Sequence, residues 1–238
     1  MMAGMKLYVD IHPTQVEVMK WLMFHKAGRF SQLNTQGLGS DSFSFHLRRL
    51  LTLGLIEKHE DQYRLSVAGK EFANRFDVDD RAGLRQGKLS VMLVPMREPN
   101  GSREYLIRHR LKQPYFDYCG FITGKVRNGE TVLEAAAREL KEETGLQARL
   151  EYIGIQHKLD YTENHQLLED KYFFVVLATD TAGDFKEAVR GGRNLWLSAE
   201  QVEELPKLFQ GTDTSLRLVQ DGQQSFTETE FVYSEIDY

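Results

Sequence analysis

Residues 124–146 constrain the fold of this chain more than any other segment, because glycines and acidic residues recur in them at fixed spacings. Gly124 is followed after five residues by Glu130, and after seven more residues by the run Arg138-Glu-Leu-Lys-Glu-Glu-Thr-Gly-Leu146. Strong helix formers fill residues 131–144, and the glycine that follows them is a typical helix stop. The segment therefore predicts a loop followed by a helix.

The predicted helix has one apolar face and one acidic face. Because successive residues are about 100° apart, four apolar side chains gather on one side and are expected to pack inward. They are Leu133, Ala136, Ala137 and Leu140. The acidic side chains that gather on another side, within an arc of about 100°, are Glu139, Glu142 and Glu143. Ala135 lies one turn before Glu139 and is expected to leave room for a phosphate.

A purely structural helix gains nothing from this acidic face. Like charges three and four residues apart destabilise a helix, and the macrodipole disfavours Glu142 and Glu143 in the last turn. A hard divalent cation resolves the conflict, because Mg²⁺ and Mn²⁺ prefer carboxylate oxygens. The alternative is a solvated acidic surface. The loop favours the metal site, because its glycines allow Glu130 to lie near Arg138, which can then orient Glu142 one turn further on.

Every defined position of this segment matches the Nudix pattern: a glycine, five residues, a glutamate, seven residues, and then Arg-Glu-aliphatic-any-Glu-Glu-any-Gly-aliphatic. The chain therefore resembles Nudix hydrolases over about residues 88–210. The resemblance implies a mixed sheet sandwiched between helices. It also implies a pyrophosphohydrolase that uses Mg²⁺ or Mn²⁺ to cleave a nucleoside diphosphate derivative.

The resemblance further implies a role for each acidic residue. Glu139, Glu142 and Glu143 are expected to hold the metal, with the carbonyl of Gly124 as a further ligand. Glu142 or Glu143 is expected to accept a proton from the attacking water, unless an acid outside the segment does so. The acids considered for that outside role, each of which can equally be ordinary charge at the start of a strand, are Glu169 and Asp170.

Cationic side chains before and within residues 124–146 are candidates for binding phosphates. Arg108 and Arg110 end a predicted strand, and Lys125 follows the first glycine of the segment. We take these three as candidate substrate-binding residues, although such cations can also simply solubilise a surface. Tyr115 and Phe116 either stack on a base or pack in the core.

The first 80 residues follow a different pattern, in which short helices precede a hairpin. The predicted elements are a helix from Pro13 to about Lys26, a helix from Gln32 to Gln36, a helix capped by Ser40 or Asp41, strands at Leu55–His59 and Gln62–Leu65, and a helix from Ser66 to Phe76. This order resembles bacterial winged-helix regulators. The chain is thus predicted to be an α+β protein: a winged helix-turn-helix domain in residues 1–80, a linker in residues 81–87, and a Nudix α/β/α sandwich in residues 88–238.

In a winged helix the third helix enters the major groove of DNA, and the hairpin lies near phosphates. Its buried stripe is predicted at Phe43, Leu47 and Leu50, which leaves Phe45 exposed. The residues predicted to contact double-stranded DNA are Ser42, Ser44, Arg48, Arg49 and Lys58. The alternatives are a solvated basic face that docks against the second domain, or a module for dimerisation.

Two functions remain open from the sequence. The first is a Nudix hydrolase with a DNA-binding appendage. The second is a transcriptional regulator whose Nudix domain senses a nucleotide metabolite. Regulators of nicotinamide metabolism resemble this pairing but carry the winged helix after the Nudix domain. The complete set of three helix glutamates favours turnover, and a homodimer is expected for either role.

Composition excludes several other classes of protein. No apolar run approaches the roughly 20 residues that a helix needs to cross a bilayer, and residues 1–10 lack the apolar stretch of a secretion signal. Cys119 is the single cysteine, so no internal disulfide can form. We therefore expect a cytoplasmic protein without a membrane partner, in which Cys119 is a buried structural thiol.

Overall fold

The computed structural model describes residues 11–73, 86–221, 224–236 and 238, and the chain divides into two compact units, Met1–Arg85 and Gln86–Tyr238. Most of the predicted linker, residues 81–87, lies outside the described residues, as do residues 74–76 at the end of the predicted closing helix. No helix of the described part is long and apolar enough to cross a membrane.

In residues 11–73 the first unit has four helices and a small antiparallel sheet. Its elements are α1 (Pro13–Phe24), β1 (Gly28–Arg29), α2 (Phe30–Leu33), α3 (Ser40–Thr52), β2 (Ile56–His59), β3 (Gln62–Leu65) and α4 (Val67–Ala73). The strand order is β1-β3-β2. Phe43, Leu47 and Leu50 are at most 1% exposed and pack with residues of α1 and the hairpin, so the predicted buried stripe of α3 is confirmed.

The start of α3 differs from the prediction. The N-cap is Gly39, whose extended backbone (φ −58°, ψ 145°) accepts the first helical hydrogen bond from the amide of Phe43 at 3.0 Å. Ser40 and Asp41 therefore lie inside the first turn and do not cap it. A carboxylate in that position still favours the helix, because the N-terminal end of the macrodipole is positive.

The second unit is built on one mixed sheet. Its elements are β4 (Lys88–Arg97), β5 (Glu104–Arg110), β6 (Cys119–Gly120), β7 (Ile122–Lys125), α5 (Val132–Thr144), β8 (Leu146–Thr162), β9 (Leu167–Gly183), β10 (Ala188–Val189), β11 (Gly192–Leu197), α6 (Ala199–Glu203), α7 (Thr212–Asp221) and β12 (Ser225–Tyr233). The order is β10-β11-β5-β4-β9-β8-β12, with β6 paired to β5 and β7 to β4. The β4–β9 and β8–β12 pairs are parallel, which confirms the predicted mixed sheet.

Alternation along β4 explains why both faces of this sheet are covered. Val91 and Leu93 belong to a core cluster that contains Leu140 of α5, whereas Met92 belongs to a second cluster with Val202 of α6. Successive side chains of a strand point to opposite faces. The sheet therefore packs α5 on one face and α6 with α7 on the other.

The rotation of α5 about its axis corrects one prediction. Leu133 is 44% exposed and Ala137 is also exposed, whereas Ala135, Ala136, Leu140 and Thr144 are fully buried. The stripe at 136, 140 and 144 faces the sheet, and the hydroxyl of Thr144 is satisfied locally: it donates to the carbonyl of Leu140 and accepts from the amide of Leu146. Ala135 lies in the core, so the prediction that it leaves room for a phosphate is wrong.

Candidate functional site

The contact between Gly124 and Glu139 places the acidic helix against the preceding loop. Gly124 ends up beside α5 because β7 pairs with β4, where Gly124 lies opposite Val91. A Cβ atom at Gly124 would lie 1.9 Å from Cδ of Glu139. A side chain at this position would displace Glu139, so glycine allows the Glu139 carboxylate to reach the loop backbone.

Arg138 fastens the loop to the same helix. Its Nε and Nη2 donate to the two carboxylate oxygens of Glu130 at 2.7 and 2.9 Å. Nη2 also donates to the carbonyl of Lys125 at 3.0 Å, and Nη1 donates to Glu139. Glu130 accepts a further bond from the amide of Arg127 at 3.0 Å. Arg138, and then this amide, lower the pKa of Glu130 to about 2.

The glutamates of α5 differ in how firmly they are held. Glu143 accepts from Nη1 of Arg108 at 2.7 Å, and the Glu143 side chain is 30% exposed. Glu142 is 51% exposed and lies 3.5 Å from Nη1 of Arg138 and 3.6 Å from Nη2 of Arg127. The predicted bridge from Arg138 to Glu142 is therefore present, but it is longer than the bonds that Arg138 makes to Glu130.

Asn194 of β11 was missed by the sequence reasoning. Its Oδ1 accepts from Nε of Arg108 at 2.7 Å, and its Nδ2 donates to the carbonyl of Glu143 at 2.9 Å. Nη2 of Arg108 donates to the same carbonyl at 3.0 Å. Arg108 is thus bonded through all three of its nitrogens and holds the end of α5. No local sequence signal marks Asn194, because its partners are remote in the chain.

The donor set of α5 fits a hard divalent cation. Among the described residues, no three acidic, histidine or cysteine side chains converge on one point. Glu139 turns to Arg138, Glu143 turns to Arg108, and Glu142 faces solvent. The glutamates on this face nevertheless offer only oxygen ligands, and the close approach at Gly124 brings the Glu139 carboxylate against the loop backbone. Oxygen-only sets of this kind suit Mg²⁺ and Mn²⁺.

A cavity of about 430 Å³ opens beside this helix. Gly124 and Glu143 line it, and so do all three predicted substrate-binding residues, which are Arg108, Arg110 and Lys125. Arg110 also holds the backbone of the cavity wall, because its Nε donates to the carbonyls of Lys112 and Pro114 at 2.9 and 2.6 Å. The cavity wall therefore holds the three residues that the sequence assigned to the substrate together with Gly124 and Glu143, whereas Glu139 and Glu142 do not line it.

The two acids outside the helix point in opposite directions. Glu169 lines the cavity and bonds to Lys88 and to the hydroxyl of Tyr238, whereas Asp170 bonds to Nε2 of His157 at 2.9 Å. By strand register, Glu169 is displaced from Gly124 by five residues, or about 16 Å, along the sheet. By strand register, neither acid therefore lies beside α5.

The two aromatic residues considered for stacking on a base differ in their exposure to solvent. Tyr115 is 3% exposed, lines the cavity and donates to Oδ2 of Asp160 at 2.9 Å, whereas Phe116 is 47% exposed.

Burial raises the pKa of Cys119 to about 11. Cys119 is a buried free thiol, as predicted.

In the first unit, the residues predicted to contact DNA lie on the surface. Ser42, Arg48, Arg49 and Lys58 are exposed, Ser44 is half-buried, and Phe45 is 60% exposed. Nε of Arg48 donates to the carbonyl of Ser44 at 3.4 Å, and Nζ of Lys58 lies 5.6 Å from the ring of Tyr63. These positions form the outer face of α3 together with one point on β2.

A comparison with known families decides what the second unit is. The model of the NUDIX domain matches residues 88–219, which is more than half of the chain. The chain belongs to the Nudix family. Residues 88–219 form its Nudix hydrolase domain, and the predicted enzyme class, a Nudix pyrophosphohydrolase, is confirmed. The match extends into α7, beyond residue 210, where the sequence resemblance was expected to end.

The chain is similar to several solved structures. The Nudix domain of NrtR from Shewanella oneidensis, solved with ADP-ribose, aligns with a TM-score of 0.51 at 13% identity, over 64% of this chain and 96% of that chain. A MutT protein from Bacillus halodurans aligns with a TM-score of 0.48 at 19% identity, over 63% and 93%. A MutT Nudix hydrolase from Burkholderia pseudomallei gives 0.47 at 23% identity, over 57% and 99%.

Proposed function

We propose that the second unit hydrolyses the pyrophosphate bond of a nucleoside diphosphate derivative with the help of Mg²⁺ or Mn²⁺. The observation that carries this proposal is the position of the acidic face of α5, which meets Gly124 at the edge of a cavity lined by cations. A pyrophosphate is polyanionic, so a cation-lined cavity attracts it and raises its local concentration.

Three carboxylates would hold the metal, with the carbonyl of Gly124 beside them. They belong to Glu139, Glu142 and Glu143. When bound, a divalent cation would neutralise negative charge on the pyrophosphate oxygens and lower the pKa of the attacking water. Arg108 keeps Glu143 in place, and Arg138 keeps Glu139 in place through the bonds already described.

Glu142 accepts the proton of the water. It is the most exposed of the three helix glutamates, and its ion pairs to Arg138 and Arg127 are 3.5 and 3.6 Å long. A loosely held carboxylate can turn toward a water and away from it again, as a general base must. Glu130 and Arg138 act as positioning residues that fix the loop, because Arg138 makes two short bonds to Glu130.

The substrate is held by the cations of the cavity wall. Lys125 follows Gly124 directly, and Arg110 lies two residues after Arg108 on β5, so both are close to the metal-binding end. The NrtR neighbour was solved with ADP-ribose. ADP-ribose is therefore the first compound to try, although a likeness in fold does not assign the substrate.

The test is product release from a panel of compounds in the presence of Mg²⁺: ADP-ribose, NAD, dinucleoside polyphosphates, sugar nucleotides and dNTPs. The double variant Glu142→Gln with Glu143→Gln should abolish release. The matched control is Glu134→Gln on the same helix, because glutamine preserves the capping box that Glu134 forms with Thr131. Release that persists in the double variant, or no release from any compound, contradicts the proposal.

We further propose that the first unit is a winged helix-turn-helix that binds double-stranded DNA. The supporting observation is that the outer face of α3 carries Arg48, Arg49 and the exposed ring of Phe45, while the β2–β3 hairpin follows as a wing. The chain would then be a regulator whose Nudix domain responds to a nucleotide metabolite. Retention of labelled duplex DNA that falls steeply with salt supports this role, and retention that does not depend on salt contradicts it.

A further inference from the structure

Three lysines lie side by side on adjacent strands in the floor of the cavity. Lys88 of β4 is paired in register with Lys171 of β9, and Lys171 is paired with Lys158 of β8. All three line the cavity, so they share one face of the sheet. Like charges directly opposite each other destabilise a sheet. We call these residues the lysine row.

Only part of this charge is neutralised within the protein. Lys88 forms an ion pair with Glu169, and Lys171 forms one with Oδ2 of Asp160 at 2.8 Å. Lys158 is 6% exposed, donates to the backbone carbonyl of Gln210, and lies 4.7 Å from the ring centroid of Phe231. Among the described residues, Lys158 has no carboxylate partner in an ion pair. The row therefore carries an excess positive charge in a largely buried place.

The buried acid beside the row is itself incompletely bonded. Asp160 is 1% exposed, and its Oδ2 accepts from Lys171 and from the hydroxyl of Tyr115 at 2.9 Å. Its Oδ1 has no hydrogen-bond partner among the described residues. A buried carboxylate oxygen without a partner is costly. The cluster thus lacks a direct ion pair at Lys158 and a hydrogen-bond donor at Oδ1 of Asp160 among the described residues.

The lysine row is separate from the metal-binding end of the cavity. Lys88 and Lys171 lie three residues along the strands from the level of Gly124, and two strand spacings separate β9 from β7. These offsets are about 10 Å each, so the backbones of Lys171 and Gly124 are about 14 Å apart, and Lys158 on the next strand is about 17 Å from Gly124. The lysine row and Lys125 nevertheless line the same cavity, so one ligand can contact both ends. A ligand that spans it needs a pyrophosphate at one end and a second anion at the other.

We propose that the lysine row binds a phosphate monoester on the ribose of the substrate, so that the preferred substrates are nucleoside diphosphate derivatives with such an additional phosphate. A phosphate monoester offers three acceptor oxygens and nearly two negative charges, which suits a row of ammonium groups that keeps a net positive charge after its two ion pairs. The inference rests on the proposed hydrolase function, which supplies the class of substrate, a nucleoside diphosphate derivative.

The experiment compares binding of three matched pairs that differ by one ribose phosphate: ADP-ribose and its 2′-phosphate, NADH and NADPH, and 3′-dephospho-coenzyme A and coenzyme A. Binding to the full chain is measured by calorimetry in EDTA, so that turnover plays no part. In at least one pair the phosphorylated compound should bind about tenfold more tightly, as expected for a charge-assisted contact. Lys158→Met should abolish most of this preference and leave the affinity for the other member unchanged.

Two further variants keep the result interpretable. Lys186→Met removes an exposed lysine that does not line the cavity and should retain the preference. Lys88→Met alters the half-exposed end of the row and is used if Lys158→Met fails to fold. Equal affinity within every pair, absence of binding by every compound, or a preference that survives Lys158→Met and Lys88→Met overturns the inference. A preference without Mg²⁺-dependent hydrolysis overturns the hydrolase proposal alone, and hydrolysis without a preference overturns the lysine-row inference alone.

Discussion

The helices α3 and α5 have the same length, and each packs an apolar face into a core. They differ in the ion pairs that the charged residues of their exposed faces form. Each has 13 residues and packs one stripe into a core. On α5, Arg138 is bonded to Glu130, and Glu143 is bonded to Arg108, so charges from a loop and a strand fix the exposed face. On α3, Arg48 and Arg49 form no ion pair within the described part of the chain.

This difference shows what an amphipathic pattern leaves undetermined. Both helices expose charge opposite an apolar stripe, and the pattern alone cannot distinguish them. Charges that the protein itself pairs and orients are suited to a reaction, because preorganised groups need no rearrangement when the reaction occurs. Unpaired cations on an open surface are suited to a polyanionic partner. The predictions below test this contrast from the largest expected effect to the smallest.

The largest effect is expected at Glu142. Glu142→Gln removes the proposed proton acceptor and should lower kcat by about 10²–10⁴-fold. Steady-state kinetics on the best compound of the panel measure this change, and Glu134→Gln on the same helix should keep kcat within about twofold of the unchanged protein. A Glu142→Gln variant with nearly full kcat would show that the acidic face of α5 is not the reaction centre.

The next effect is expected at the glycines that precede the two helices. Gly124→Ala places a Cβ atom against Glu139 and should displace its carboxylate, which lowers kcat/KM by about 10²-fold. Gly39→Ala at the start of α3 meets open space and should leave hydrolysis unchanged. Equal hydrolysis by both alanine variants would mean that the contact between loop and helix does not matter for the reaction.

A smaller effect is expected on α3. Arg48→Ala with Arg49→Ala should weaken binding of duplex DNA about tenfold at moderate salt and reduce the slope of log K against log salt by about 2, because two phosphate contacts are lost. Fluorescence anisotropy over a range of salt concentrations measures both quantities. Lys70→Ala on α4 serves as the control. An unchanged affinity and slope in the double variant would remove the groove-binding role of α3.

The smallest effect concerns the pH dependence of the bond between Arg138 and Glu130, which has no counterpart on α3. The pKa of Glu130 is lowered to about 2, chiefly by Arg138. A lowered pKa adds stability above the usual carboxyl pKa of about 4.3, and this stability is lost as pH falls through about 2. Glu130→Gln should therefore reduce the free energy of unfolding at pH 7. Denaturant titrations should show the difference shrinking between pH 4 and pH 2, and a constant difference would contradict the assignment.

Local signals in the sequence predicted much of this structure. Arg108 and Arg110 were predicted to end a strand, and β5 ends at Arg110. The predicted helix begins after Thr131, which supplies a capping box at its N-terminus. It ends at Gly145, which adopts the left-handed φ of 76°. In these cases the residues that determine the element lie within it or at its ends.

Features that depend on distant strands were not predicted. The burial of Ala135 depends on how α5 is rotated against the sheet, which a helical period alone does not fix. Asn194 meets Arg108 through pairing of β11 with β5, and Lys158 meets Lys171 through pairing of β8 with β9. Charged residues at inward positions of a strand are the one local sign of the lysine row, and they become informative once the register is known.

The most direct test of the account is a titration of the full chain with Mn²⁺, followed by electron paramagnetic resonance. The unchanged protein should take up Mn²⁺, and Glu134→Gln should bind it equally well. Glu142→Gln with Glu143→Gln should weaken the uptake strongly, because two of the three carboxylate ligands are lost. Equal uptake by the double variant would contradict the claim that the acidic face of α5 is a metal site and would leave that helix as a charged surface like α3.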